Sequence, residues 1–276
     1  MKMKPKLLKV QSENQWFQRA EVLKRNRKKR NQYRQFFVEG VHLLNALVAN
    51  KTWIIEALLY TPERRLSDWA RSVIDTAPAR HHLELSGPLM DKLSDKEEPS
   101  ELIALVEMPA DDPARIPIGS DAFIVLADRP QSPGNLGTLI RSCEAFGAHG
   151  LILTGHACDV YDPQTLRATT GALFSLPTTY IFSQEELGTW LEQLRQRAPG
   201  LQAIGTSTHG ETNLSHCPFT APILLVIGNE TIGLSRRIQE LCDWVASIPM
   251  VGQIPSLNMA SAAAVCLYEI QRQRMK

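Results

Sequence analysis

The 276-residue sequence lacks any apolar run long enough to cross a membrane. The longest, 221–227, is interrupted by Pro222 and falls far short of the ~20 residues a spanning helix needs. The first ten residues are basic, but no apolar core segment follows them, so no secretory leader is expected. Cysteine is sparse and scattered: Cys143, Cys158, Cys217, Cys242 and Cys266 show no C-x-x-C spacing, which excludes a disulfide framework and favours free thiols in a reducing cytoplasm. Seven dispersed histidines offer no metal-ligand spacing, so no metal is expected. Also absent are G-x-G-x-x-G, the phosphate-loop pattern G-x-x-x-x-G-K-[ST] and G-x-S-x-G, which removes the usual dinucleotide, nucleoside triphosphate and serine-hydrolase readings.

The length suggests two domains, and 43% hydrophobic content is enough for ordinary cores. A Pro/Asp-rich stretch at 109–117 separates differently patterned halves, giving an expected division into 1–108, a linker at 109–118, and 119–276. The net charge of +1 conceals a segregation. Residues 1–40 carry twelve Lys/Arg and three acids, a net +9, leaving −8 on the remainder. The densest run is Lys24, Arg25, Arg27, Lys28, Lys29 and Arg30, which points to a polyanion such as RNA, with a solvated helix face as the plainer alternative.

Residues 12–30 read as a polar helix. After it come F-F-V-E-G (36–40), a helix to 49, strands near 54–60, 82–85 and 101–107, and helices near 62–76 and 88–93. Beyond the linker, strands near 123–127, 151–154, 178–182, 202–206, 223–227 and 244–248 alternate with helical segments. This is the pattern of an α/β fold with a mostly parallel sheet and helices on both faces.

Three polar loops stand at the carboxyl ends of strands, where open α/β sheets hold ligands. The first supplies Asn135, Gly137 and Arg141; the second is Gly228-Asn-Glu230-Thr-Ile-Gly-Leu-Ser235; the third runs from Ile248 to Asn258 through Met250, Gly252, Pro255, Ser256 and Leu257. Pro249 and Pro255 forbid helix in the third loop and stiffen it. Singly, Asn135 and Asn258 could be helix caps, Arg141 a surface pair and Glu230 a complement to a helix dipole.

Taken in order, N-x-G-x-x-x-R, G-N-E-x-x-G-L-S and I-P-M-x-G-x-x-x-S-L-N resemble the three signature motifs of the SpoU (TrmH-type) RNA ribose 2′-O-methyltransferases, over about residues 122–272. Arg167-Ala-Thr-Thr-Gly171-Ala resembles a further segment of that family, and the first half is similar, more loosely, to its ribosomal-protein-like RNA-binding domain. The resemblance implies an α/β fold with a C-terminal trefoil knot, S-adenosylmethionine as cofactor, a homodimer, and ribosomal RNA as substrate, with transfer RNA as the alternative. It also implies cofactor contacts at Thr206, Gly228, Ile248, Met250 and Leu257, and a catalytic group of Arg141, Asn135, Glu230, Ser256 and Asn258. A guanidinium holds its proton too strongly to be a good base, so Arg141 is expected to clamp the phosphate beside the target ribose, with Glu230, Ser256 and Asn258 orienting it. A ribosome-associated RNA-binding protein without catalysis is the reading from a different class; it would be free to lose Arg141, Glu230 or Asn258, and all three are present.

Overall fold

The structure is a computed structural model that describes residues 4–94 and 99–275. The chain forms two compact units, residues 1–109 with 159–174, and residues 110–158 with 175–276. The division is therefore more than a cut at a linker: a stretch from the middle of the second half belongs to the first unit.

In the first unit the order is β1 (Lys6–Val10), α1 (Gln15–Arg25), α2 (Arg27–Tyr33), β2 (Gln35–Glu39), α3 (Val41–Ala49), β3 (Ile55–Tyr60), α4 (Asp68–Thr76), β4 (Ala79–Leu85), α5 (Gly87–Leu93) and β5 (Ile103–Glu107). The sheet runs β1-β4-β3-β5-β2, parallel at β1, β4 and β3 and antiparallel at β5 and β2. Phe17, Ala20 and Leu23 of α1 recur at helical spacing and bury against Leu59, Leu83 and Leu105 of the sheet. The single helix expected over 12–30 is broken at Asn26, which closes α1 and caps α2 by accepting from the Lys29 N–H at 3.1 Å. The strand β1 was missed in the sequence because its lysines hide the alternation.

Two of the six basic residues expected to meet RNA do something else. Lys24 is only 5% exposed, and its ammonium donates to the Leu93 carbonyl at 2.6 Å. Arg30 is 2% exposed; it donates to the Leu23 carbonyl at 2.8 Å and pairs with Asp159 at 2.7 Å and Asp162 at 3.1 Å. A buried charge is stable only when paired in this way, so Lys24 and Arg30 are structural, and the RNA assignment is corrected there. Arg25, Arg27 and Lys28 are exposed, and Lys29 is half-buried.

The Arg30 pairs help hold the segment 159–174 to this unit. Tyr161 packs tilted on Phe36 at 4.6 Å between ring centroids and Phe174 stacks on it at 6.4 Å, and Trp53 Nε1 donates to the Phe174 carbonyl at 3.0 Å. Gly171, with φ of 102°, lies so close to α3 that an added Cβ would sit 2.7 Å from Ala46 Cβ and 3.2 Å from the His42 oxygen. Backbone conformation and close packing thus both require glycine there.

The second unit contains β6 (Phe123–Asp128), α6 (Pro133–Ala145) and β7 (Gly150–Thr154), and, after the excursion into the first unit that bears α7 (Pro163–Thr169), β8 (Thr178–Ile181), α8 (Gln184–Arg197), β9 (Gln202–Thr206), β10 (Thr212–Asn213), β11 (Ile223–Ile227), α9 (Arg236–Gln239), β12 (Trp244–Ser247) and α10 (Met259–Arg274). Its seven strands, ordered β10-β12-β9-β11-β6-β7-β8, are parallel at every pairing. Ile124 and Leu126 bury in one layer with Leu187, Leu191 and Leu194 of α8. By the two-residue period of a strand, Phe123 and Val125 face the other side, where α10 packs against α6. Arg274 anchors α10 by donating to the carbonyls of Phe219, Asp121, Ala122 and Ala221, with its guanidinium 5.0 Å from the Phe123 ring centre.

Candidate active site

Parallel strands put the loops after β6, β9, β11 and β12 on one edge of the second sheet. A cavity of about 430 Å³ opens among the loops after β9, β11 and β12. Thr206, Gly228, Ile248, Met250 and Leu257, the five residues expected at a cofactor, all line it, together with Glu230 and Ser256. The volume lies within the range of small-molecule pockets, which are mostly apolar with a few placed polar groups. Ile227, Leu234 and Ala246 supply further apolar wall, and Ser207 and His209 add polar groups that the sequence reading had not singled out.

The second loop is fixed by its own turn. Asn229 and Gly233 exchange backbone hydrogen bonds at 3.0 Å each way, and Asn229 Oδ1 accepts from the N–H groups of Thr231 at 2.9 Å and Ile232 at 3.1 Å. The Asn229 amide also donates to the Arg129 carbonyl at 2.7 Å, tying this loop to the first. A Cβ on Gly228 would lie 2.6 Å from the backbone of Gly233 and of Leu234, so the turn closes only around glycine.

Glu230 then reaches the first loop, 99 positions away in sequence at its farthest partner. Its carboxylate accepts from the Gln131 N–H at 3.2 Å, the Ser132 N–H at 3.3 Å and Asn135 Nδ2 at 3.2 Å. These N–H groups open α6, where a negative charge complements the helix dipole. The helix cap is Ser132, not Asn135. Asn135 is left to bridge, and its Oδ1 accepts from Asn258 Nδ2 at 3.0 Å. Asn258 does cap α10, accepting from the Ala260 N–H at 2.9 Å and the Ser261 N–H at 3.3 Å, while it also makes this contact. Glu230, Asn135 and Asn258 therefore form a continuous chain joining the three loops. Arg141 lies further along α6, exposed and outside the cavity lining.

Beneath the loops sits Asp128, a buried carboxylate the sequence reading passed over. It pairs with Arg129 at 2.9 Å and accepts from the Thr154 hydroxyl at 3.1 Å and the Ser235 N–H at 3.0 Å. Burial raises its pKa, but the Arg129 guanidinium, the Ser235 N–H and the Thr154 hydroxyl outweigh that and hold the carboxyl below its ordinary 3.8. An acid directly after five apolar strand residues was the available signal. Cys242, beside Gly205 of β9, is pushed up to about 12 by burial and is a packing thiol. Among the described residues no group of His, Cys, Asp and Glu is placed to hold a metal.

Comparison with known proteins agrees with this geometry. Residues 122–268 match the model of the SpoU rRNA Methylase family, and residues 14–104 match the SpoU L30e-like domain. The chain is 45% identical, over 98% of its length and 94% of the relative's, to a 23S rRNA (uridine(2479)-2'-O)-methyltransferase of Streptomyces viridochromogenes. It is 26% identical, over 89% of its length and 92% of the relative's, to the 23S rRNA (guanosine(2553)-2'-O)-methyltransferase RlmP of Bacillus subtilis. Among solved structures it resembles the SpoU methyltransferase AviRb from Streptomyces viridochromogenes in complex with AdoMet, with a TM-score of 0.90 over 95% of this chain and 99% of that one at 45% identity. An AdoMet-bound rRNA methyltransferase from Sinorhizobium meliloti follows, with a TM-score of 0.83, 29% identity, and 97% and 98% coverage.

Proposed function

The chain belongs to the SpoU rRNA Methylase family, and from that premise we propose how its residues carry out S-adenosylmethionine-dependent methylation of a ribose 2′-hydroxyl in 23S-type ribosomal RNA. The observation that carries the assignment of roles is a cavity lined by the second and third loops and by the loop after β9, with the first loop tied to them through Glu230, Asn135 and Asn258.

S-adenosylmethionine supplies a methyl group on a positively charged sulfur, which leaves as a neutral thioether. The wall of Ile227, Ile248, Leu257 and Met250 suits an adenine ring, and Thr206, Ser207 and Ser256 suit polar ribose and amino-acid groups. Arg141 holds the phosphate next to the target ribose and lowers the cost of negative charge on the 2′-oxygen as its proton passes to that phosphate. Glu230 and Asn135 act through α6: they fix its first turn and so place Arg141. In-line methyl transfer depends on such placement, since proximity and alignment supply much of the rate.

The first unit is proposed as the RNA-binding domain and the second unit as the methyltransferase domain, with the 249–257 loop forming part of a trefoil knot. A homodimer is supported by the exposed apolar side chains Val251, Ile254, Leu257, Val265 and Tyr268 on that loop and on α10. A cytoplasmic location is supported by five free thiols and a ribosomal substrate. Among the described residues no helix is long and apolar enough to cross a membrane.

Mapping 2′-O-methyl groups in ribosomal RNA with and without the gene tests the activity; an unchanged map together with no calorimetric binding of S-adenosylmethionine would sink it. Sedimentation at micromolar concentration tests the dimer, and a monomer that still methylates RNA contradicts it.

A further inference from the structure

On the first unit, planar side chains pack one against the next in a row that ends at the surface. The Arg19 guanidinium lies 5.0 Å from the centre of the Trp16 ring and 5.0 Å from that of Tyr33, so it is flanked by an aromatic on each helix of the α1–α2 pair. Trp16 in turn meets His81 of β4 at 4.9 Å between ring centroids. The outer member, Tyr33, is 39% exposed although its ring is a large apolar surface. Its position at the end of α2 also makes it a neighbour, four residues on, of Lys29.

At the inner end of the row, His81 Nδ1 lies 3.3 Å from the Glu56 carboxylate. Arg25, Arg27 and Lys28 are exposed on the same two helices. Of the acids in residues 1–40, Glu13 is paired with Lys92 at 2.5 Å and Glu39 accepts from the Ser94 hydroxyl at 2.5 Å, leaving Glu21. Buried Lys24 and Arg30 do not contribute to the surface, which narrows the six-residue basic run to exposed Arg25, Arg27 and Lys28 and half-buried Lys29.

We propose that Tyr33, backed by Arg19 and Trp16, is a stacking platform for an unpaired nucleobase of the RNA substrate, with Arg25, Arg27 and Lys28 holding the adjoining phosphates. It rests on the RNA-methyltransferase reading and adds to it the means by which the first unit takes hold of single-stranded RNA. Every base has a π face, so aromatic stacking is tolerant of sequence, and basic groups beside the ring follow the backbone. RNA is recognised chiefly at unpaired loops and bulges for this reason. A guanidinium over a ring is attracted by its π face and keeps N–H donors from which a phosphate or a base edge can accept.

Stacking and phosphate contact leave different signatures in salt. Only the phosphate contacts release counterions, at about 0.7 units of log–log slope each on single strands. The test measures binding of the full chain to a 23S rRNA transcript, to polyuridine and to a fully paired duplex RNA, across a salt series. Tyr33→Leu is expected to weaken the transcript and polyuridine about tenfold, or about 1.4 kcal/mol, with the salt slope and duplex binding unchanged. Tyr33→Phe is expected to match the wild type, and Tyr33→Trp to bind polyuridine at least as tightly. The triple change Arg25→Gln, Arg27→Gln, Lys28→Gln should instead flatten the slope by about two units.

Thermal melting of each variant shows that it is folded. A folded Tyr33→Leu that binds polyuridine within twofold of wild type overturns the platform, as does an equal loss on duplex or a folded Tyr33→Trp that binds more weakly. If the wild type itself neither binds nor methylates the 23S transcript, the functional reading has failed instead. A wild type that does both beside a silent Tyr33→Leu removes only the platform and leaves the row as a clamp between α1 and α2.

Discussion

The link between Glu230 and Asn135 can be weighed by a double-mutant cycle. Glu230 is partly exposed and its three hydrogen bonds are 3.2, 3.3 and 3.2 Å long, so each belongs at or below the low end of the ~1.5–3 kcal/mol given to bonds with a charged partner, about 1 kcal/mol. Glu230→Gln keeps one acceptor oxygen but turns an N–H group toward the Gln131 N–H. One bond is lost, about 1 kcal/mol, and the other two lose their charge assistance, about 0.5 kcal/mol each. The total is about 2 kcal/mol. If that energy is what holds the first turn of α6, and with it Arg141, kcat/KM should fall roughly 30-fold. Affinity for S-adenosylmethionine should move only a few-fold, because a glutamine at the cavity wall keeps the shape. Asn135→Ala removes the Nδ2 bond and the bridge to Asn258 together. Since the two substitutions break a shared contact, the double mutant should be better than the sum of singles by about 1 kcal/mol in kcat/KM. The assay is single-turnover methyl transfer to ribosomal RNA, with calorimetry for the cofactor. Additivity within about 0.5 kcal/mol, or a Glu230→Gln enzyme as fast as wild type, refutes the positioning role.

Arg141→Ala should abolish transfer while leaving cofactor affinity within a few-fold, as expected for a group outside the cavity lining; more than about a tenth of wild-type kcat, a loss under ~1.4 kcal/mol, contradicts its central role. Arg30→Met strands two carboxylates and should destabilise the first unit by about 3–5 kcal/mol, read as a lowered midpoint in urea and faster proteolysis of 159–174. Because the native Asp128 carboxyl is held below 3.8, its stabilising contribution is complete above that pH and is lost as pH falls through the depressed value. Acid unfolding of Asp128→Asn followed by fluorescence should therefore show a shallower loss of stability below pH 3.8 than wild type, and identical pH profiles count against the assignment.

What the sequence alone determined is local. Prolines and glycines announced a stiff third loop, alternation announced the parallel sheet, and the order of three motifs announced the family. Each of these depends on neighbours a few residues apart, where backbone sterics and side-chain periodicity act directly. The five cavity residues were legible for the same reason, since each stands at a strand end or in a short loop whose place on the sheet edge follows from parallel pairing.

Tertiary structure decided which of several local possibilities was realised. Lys24 and Lys28 look alike in sequence, yet one donates to a buried carbonyl and the other is exposed, because Asn26 breaks the helix and reorients its faces. Asn135 and Asn258 were both possible caps; Ser132 took the first role, which freed Asn135 to join Glu230 and Asn258. The segment 159–174 follows a strand of the second unit but belongs to the first, since Arg30, Phe36 and Trp53 offer it paired charges and an aromatic bed. Such pairings join residues about a hundred positions apart and depend on where the chain returns. No window of sequence contains that information, and burial of an unpaired charge or donor is the cost that selects among the alternatives once the chain is folded.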